Sequence, residues 1–193
     1  MGRREKIMSH LLDIENVFEK LILLQHFVNG SEHYCKERLI GSEHDVGDGA
    51  IDAYWSWVKG IMSSYSLECC IRLRVFLDTI RYKPEGNKIP GLDVTARTGL
   101  TIGQVIEGNF DLTLRETCNK IIHARKVIPV WATGNANDIE FKYWSGDLDL
   151  SGTNRGENWR LILHVAPWAR CVERFLEGAE AAELTFYVGQ DWY

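Results

Sequence analysis

The chain has 193 residues, of which 45% are apolar and 25% charged, with a net charge of −5 and a pI near 5.7. This length and balance predict one domain over 1–193 with a real core, and they exclude a wholly disordered chain. The acidic balance argues against broad electrostatic capture of nucleic acid, while leaving room for a local basic site.

The N-terminus, "MGRREKIMSHLLDIENVF", opens basic but is broken up by Asp13, Glu15 and Glu19, so a signal peptide is not expected. No apolar run approaches the roughly 20 residues that span a bilayer. Lys6 stands where a myristoylation signal needs Ser or Thr. A soluble, cytoplasmic protein with no membrane partner is the expectation. The five cysteines, Cys35, Cys69, Cys70, Cys118 and Cys171, include no C-x-x-C pair and read as reduced, buried thiols.

Apolar residues at helical spacing predict a first helix over about 4–29, stopped by Asn29–Gly30. A short helix from Ser31 to about Ile40 follows, with Ser31 as its cap. The segment "GSEHDVGDGA" reads as an acidic loop. The strongest helical pattern covers about 49–82, with Tyr54, Val58, Ile61, Tyr65, Cys69, Leu73, Phe76 and Ile80 as its stripe. Pro84, Gly86, Pro90 and Gly91 then mark a loop, and "TIGQVIEG" suggests a short helix over about 101–108. Asp111 is the expected cap of a helix over about 112–125.

Beyond that point the period changes. "VIPVWA", "IEFKYW", "DLDLSG" and "WRLILHV" are short β-branched or aromatic runs. "YWSGDLDL" reads as a tight hairpin and "SGTNRGENW" as a longer one. A closing helix over about 167–183 starts at Pro167. The expected fold is therefore α+β. A mainly helical bundle fills 1–125, and a small antiparallel β-meander at about 126–165 plus a C-terminal helix fill 126–185.

The helix over 112–125 carries the candidate site. Relative to Arg115, Asn119 lies about 40° and His123 about 80° around the helix, so the three form one polar stripe. Leu114, Cys118, Ile121 and Ile122 fall on a neighbouring face that should be buried. A histidine on such a border can be half-desolvated, which tunes its proton. The plain alternative is the edge between core and solvent on an ordinary helix.

"CNKIIHA" resembles the signature segment of HEPN domains, all-helical modules whose motif is an Arg, then Asn, Asp or His, and a His a few residues on. Asn119 matches the polar residue and His123 the histidine, while Cys118 occupies the arginine position and Arg115 lies one turn earlier. The resemblance implies a helical bundle and a metal-independent endoribonuclease in which Arg and His act on RNA, often across a dimer interface. In such chemistry a histidine moves the 2′-hydroxyl proton and an arginine fork holds the phosphate. It assigns Arg115, Asn119 and His123 as catalytic. Lys120, Arg125, Lys126 and Arg72 are the accompanying substrate-binding candidates, and Glu68 pairs with Arg72 on the long helix.

Other motifs are weak. His33, His44, Asp45 and Asp48 match neither a zinc pattern nor an EF-hand loop. No phosphate-binding glycine motif and no nucleophile elbow occurs. No metal and no cofactor is therefore expected. Trp55 and Trp57 cannot share one narrow helix face, so one of them should be exposed or covered by a second subunit. Two functions compete. The first is a HEPN-like protein that binds or cleaves RNA, in a defence or toxin–antitoxin setting with an antitoxin or other protein partner. The second is a non-catalytic homodimeric interaction module.

Overall fold

The computed structural model describes residues 10–11, 13–42, 50–184 and 187–188. The α+β reading holds: helices precede and follow a four-stranded antiparallel sheet, and one more, Leu114–His123, lies between its first two strands in the chain. Strand β1 (His10–Leu11) pairs antiparallel with β6 (Tyr187–Val188). The expected start of the first helix at residue 4, the acidic loop at 43–49 with His44, Asp45 and Asp48, and most of the tail lie outside the described residues.

Helix α1 (Ile14–Arg38) is one helix where two were expected. The Asp13 carboxylate caps it by accepting from the Asn16 amide at 3.1 Å. A mid-helix glycine costs about 1 kcal/mol relative to alanine. Packing overrides that penalty at Gly30, because Leu21, Leu24, Ser31 and Cys35 are all buried on the inward face. The Ser31 hydroxyl lies 2.5 Å from the Tyr54 hydroxyl and accepts from the Trp144 amide at 3.1 Å. Ser31 is thus a core tether and not a cap. The helix stops at Leu39, which turns left-handed at φ 51°.

Helix α2 (Ala50–Ile80) follows the expected stripe, with Tyr54, Val58, Cys69, Leu73, Phe76 and Ile80 buried. Trp55 stacks on Trp131 with centroids 4.5 Å apart, and Trp57 is 55% exposed, which resolves their competition for one face. The expected loop after α2 contains a 3₁₀ turn (Pro84–Lys88) and helix α3 (Ile89–Arg97). Asp93 on α3 is 8% exposed. Its carboxylate accepts from the Leu114 amide at 2.8 Å and from Arg97 at 2.8 and 3.1 Å.

The helix expected over 101–108 is instead strand β2 (Gly103–Glu107). It pairs with β5 (Glu157–His164) as an edge strand. Gly103 permits this, since a Cβ there would stand 2.6 Å from the Ile162 carbonyl oxygen. Helix α4 (Leu114–His123) is capped by Thr113, which accepts from the Glu116 amide at 3.1 Å, so Asp111 is not the cap.

Strands β3 (Lys126–Ala136) and β4 (Ile139–Asn154) complete the sheet in the order β2-β5-β4-β3. The expected hairpin at Ser145–Gly146 does not form. Gly146, at φ 91°, lies within the continuous 16-residue β4, opposite the register shift between Pro129 and Trp131. The chain turns at Asn137–Asp138 and at Arg155–Gly156, where both central residues have positive φ, as a type I′ two-residue hairpin requires. Helix α5 (Val165–Ala181) starts two residues before Pro167. It packs with α1 on the sheet face that carries Trp144, Leu148, Leu161 and Leu163, and all these residues belong to one core cluster.

Asp93 joins α3 to the first turn of α4 through one charge-assisted bond, from the Leu114 amide, and Arg97 on its own helix holds the carboxylate with two more. Replacing Asp93 with alanine should cost about 2–3 kcal/mol in urea unfolding, and Asp93→Asn should cost less, because its amide oxygen still accepts from Leu114. Equal losses for the two variants would show that the carboxylate charge, and not a neutral acceptor oxygen, carries the tether.

Candidate functional site

Helix α4 is short because Thr113 sets its start and Ala124 leaves helical geometry at its end. Leu114, Thr117 and Cys118 are buried, and Ile121 and Ile122 pack against the core as their spacing predicted. Cys118 has no solvent exposure. Its side chain meets Cys70 across the α2 interface. A guanidinium at position 118 would therefore need desolvation among apolar groups. The position that resembles the HEPN arginine points into the core of this chain.

Arg115 does not replace it at the histidine. Its guanidinium reaches back to α2, with Nη2 2.6 Å from Asp78 Oδ1, an oxygen that also takes Arg74 at 2.9 Å. Asn119 donates to Glu116 Oε2 at 3.1 Å. His123 is exposed at the C-terminal end. Eight residues of helix set Arg115 and His123 about 12 Å apart along the axis. Arg115 lines clefts facing α3, and His123 is not among their walls.

The four substrate-binding candidates divide. Lys120 is only 6% exposed, with its ammonium 4.0 Å from the Phe110 ring centre, 4.6 Å from that of Trp159 and 3.1 Å from Glu116. It is a buried cation held by rings and a carboxylate, so it does not reach a substrate. Arg72 turns toward α1. It pairs with Glu68 at 2.8 Å and donates to the Asp13 carbonyl at 3.2 Å, while Glu68 also meets Lys20. Arg125 and Lys126 are exposed and line one open groove of about 540 Å³ on the outer face of the sheet. The Arg125 amide donates to the Ser151 carbonyl at 2.9 Å, which anchors this corner to β4.

Strand alternation builds the groove. On β4, Leu148 and Leu150 point inward, so Asp147, Asp149 and Ser151 point outward. On β5, Leu161 and Leu163 point inward, so Arg160 and His164 point outward. Asp149 grips Arg160 through two parallel bonds, 2.9 Å to Nε and 2.6 Å to Nη2, and this pairing holds the guanidinium proton more firmly than usual. His164 Nδ1 lies 2.7 Å from Asp147 Oδ1 on the directly opposed residue. Thr153 and Asn158 add polar walls. Three cations, Arg125, Lys126 and Arg160, face two carboxylates, Glu107 and Asp149. None of the β4 or β5 residues was a sequence candidate, although the alternation in "DLDLS" and "WRLILH" carries the signal.

Among the described residues no group of three or more His, Cys, Asp or Glu side chains is placed to hold a metal ion. No described helix is long and apolar enough to cross a membrane. No family model, curated protein or solved structure matches this chain.

All five cysteines are free and buried. Burial pushes the thiol of Cys35 up to about 11 and those of Cys69 and Cys171 up to about 12, and it raises Cys70 as well. The thiolate is the reactive form. Native protein at about pH 8 should therefore react negligibly with Ellman's reagent, and guanidinium-unfolded protein should titrate five thiols. A fast-reacting thiol in the native protein would contradict the buried cluster.

Proposed function

We propose that this chain is a HEPN-like protein that binds the phosphodiester backbone of RNA along the open sheet groove and does not cut it. The observation that carries this reading is the groove itself. Arg125 and Lys126, which directly follow the segment resembling the HEPN signature, meet Arg160, Ser151, Thr153 and Asn158 there. Guanidinium and ammonium groups hold phosphate oxygens, and hydroxyl and amide groups fix their register. What favours binding over cutting is the state of the motif: Cys118 is in the core, and Arg115 is paired with Asp78 about two turns from His123.

Fluorescence anisotropy with labelled single-stranded RNA in EDTA tests it. If three cations engage phosphates, affinity falls roughly tenfold to twentyfold between about 50 and 200 mM salt. The double variant Arg125→Ala, Lys126→Ala should bind roughly tenfold more weakly, with a flatter salt slope. Unchanged binding by the variant would sink the reading. Cleavage that disappears in His123→Ala would restore the catalytic one.

A second reading, a homodimeric interaction module, is favoured by the outer face of α2. Leu67, Ile71 and Val75 recur there at four-residue steps with 39%, 47% and 39% exposure, and Trp57 is exposed on the same helix. Light scattering after size exclusion should then give a dimer for the native chain and a monomer for Ile71→Arg, and a monomeric native chain removes this reading.

A further inference from the structure

The cleft beside Arg115 lies away from the sheet groove and has a different chemistry. It runs between the C-terminal end of α2, helix α3 and the first turn of α4. Two adjoining cavities of about 260 and 330 Å³ share Leu77, Ile89, Pro90 and Arg115. Their floor is apolar and open. Leu77 and Phe175 form the base, and Val94 presents an isopropyl group that is 60% exposed. Water against such a floor is easily displaced by an apolar body.

One end of this floor is cationic. Arg81 lines the smaller cavity, is exposed, and makes no side-chain bond among the described residues. Arg115 stands beside it with one end on Asp78. Asp78 is shared with Arg74, so two guanidiniums divide one carboxylate at this end. At the other end Arg97 and Asp93 neutralise each other, with their closest contact at 2.8 Å. The charge is therefore concentrated at the Arg81–Arg115 end and the apolar surface at the Val94 end.

We infer that this cleft binds an amphipathic carboxylate, with its head on Arg81 and Arg115 and an aliphatic body of medium length over Leu77, Ile89 and Val94. A planar guanidinium fork matches a carboxylate, and the combined space suits a small ligand. Arg115 thus serves as a head-group ligand in this cleft. The inference does not rest on RNA binding.

Octanoate, octan-1-ol and acetate, titrated into the ¹⁵N-labelled full chain by NMR, separate the contributions. Octanoate should shift amides of α3 and the start of α4, and bind roughly tenfold more tightly than octan-1-ol, while acetate gives no saturable shift. Arg81→Gln should bring octanoate down to the octan-1-ol level, and Val94→Asp should weaken both without changing the circular dichroism melt. The Arg125→Ala, Lys126→Ala variant should bind octanoate as the native chain does, even if RNA binding fails. Octanoate binding no tighter than octan-1-ol, an unchanged affinity in Arg81→Gln, or shifts clustered outside the cleft would overturn the assignment.

Discussion

The hydroxyl of Ser31 ties together the three parts of this molecule. It sits on α1, lies 2.5 Å from the Tyr54 hydroxyl on α2, and accepts from the Trp144 amide on β4 at 3.1 Å. A buried hydroxyl without partners would cost a few kcal/mol. With both partners it pins the helical layer to the sheet at one depth. Phe27 and Tyr34 pack on Tyr54 around it, and Phe27 also meets Trp144. Helix α1 runs unbroken through Asn29–Gly30 because this contact and its neighbours need a straight helix there. With α1 and α5 on the inner face, the outer face of the sheet is left to polar side chains.

The second constraint is the buried seam between α4 and α2. Leu114 and Cys118 enter it, and burial leaves Cys70 and Cys118 as neutral, tightly packed thiols. The same seam fixes the direction of every other α4 side chain. Arg115 is turned toward Asp78 and the α3 cleft, Lys120 is pressed between Phe110 and Trp159, and only His123 and the residues after it emerge toward solvent. The polar stripe that spans about 80° on a helical wheel is thereby divided, with Arg115 on Asp78, Asn119 on Glu116 and His123 toward solvent. The two charged surfaces, the sheet groove and the Arg81–Arg115 cleft, follow from that division.

Much of the fold was legible in the sequence. The stripe of α2 and the buried face of α4 follow from a period of 3.6, and the change to strands near residue 126 follows from a period of two. The sequence also placed Arg125 and Lys126 just past the helix that resembles a HEPN signature. Less legible were the elements that depend on distant partners. "TIGQVIEG" is a strand because β5 offers an edge, and Gly103 lets the two backbones approach. "YWSGDLDL" contains no turn because β3 pairs with β4 on both sides of Gly146, at Trp144 and at Leu148, and takes up the extra residues as a register shift.

The amino-acid sequence by itself determined an α+β chain, with reduced buried cysteines, a polar stripe on one short helix and basic residues at its end. Those are properties of local period and composition. Only the tertiary structure decided which stripe residues share a surface. Arg115, Asn119 and His123 are neighbours in angle, but Asp78 and Glu116 claim the first two and about 12 Å of helix separates the outer pair. Arg125 and Lys126 are far in sequence from Ser151 and Arg160, and strand pairing brings them to one groove. Helical angle is set by residue spacing alone, whereas ion pairing and strand register depend on where distant segments pack.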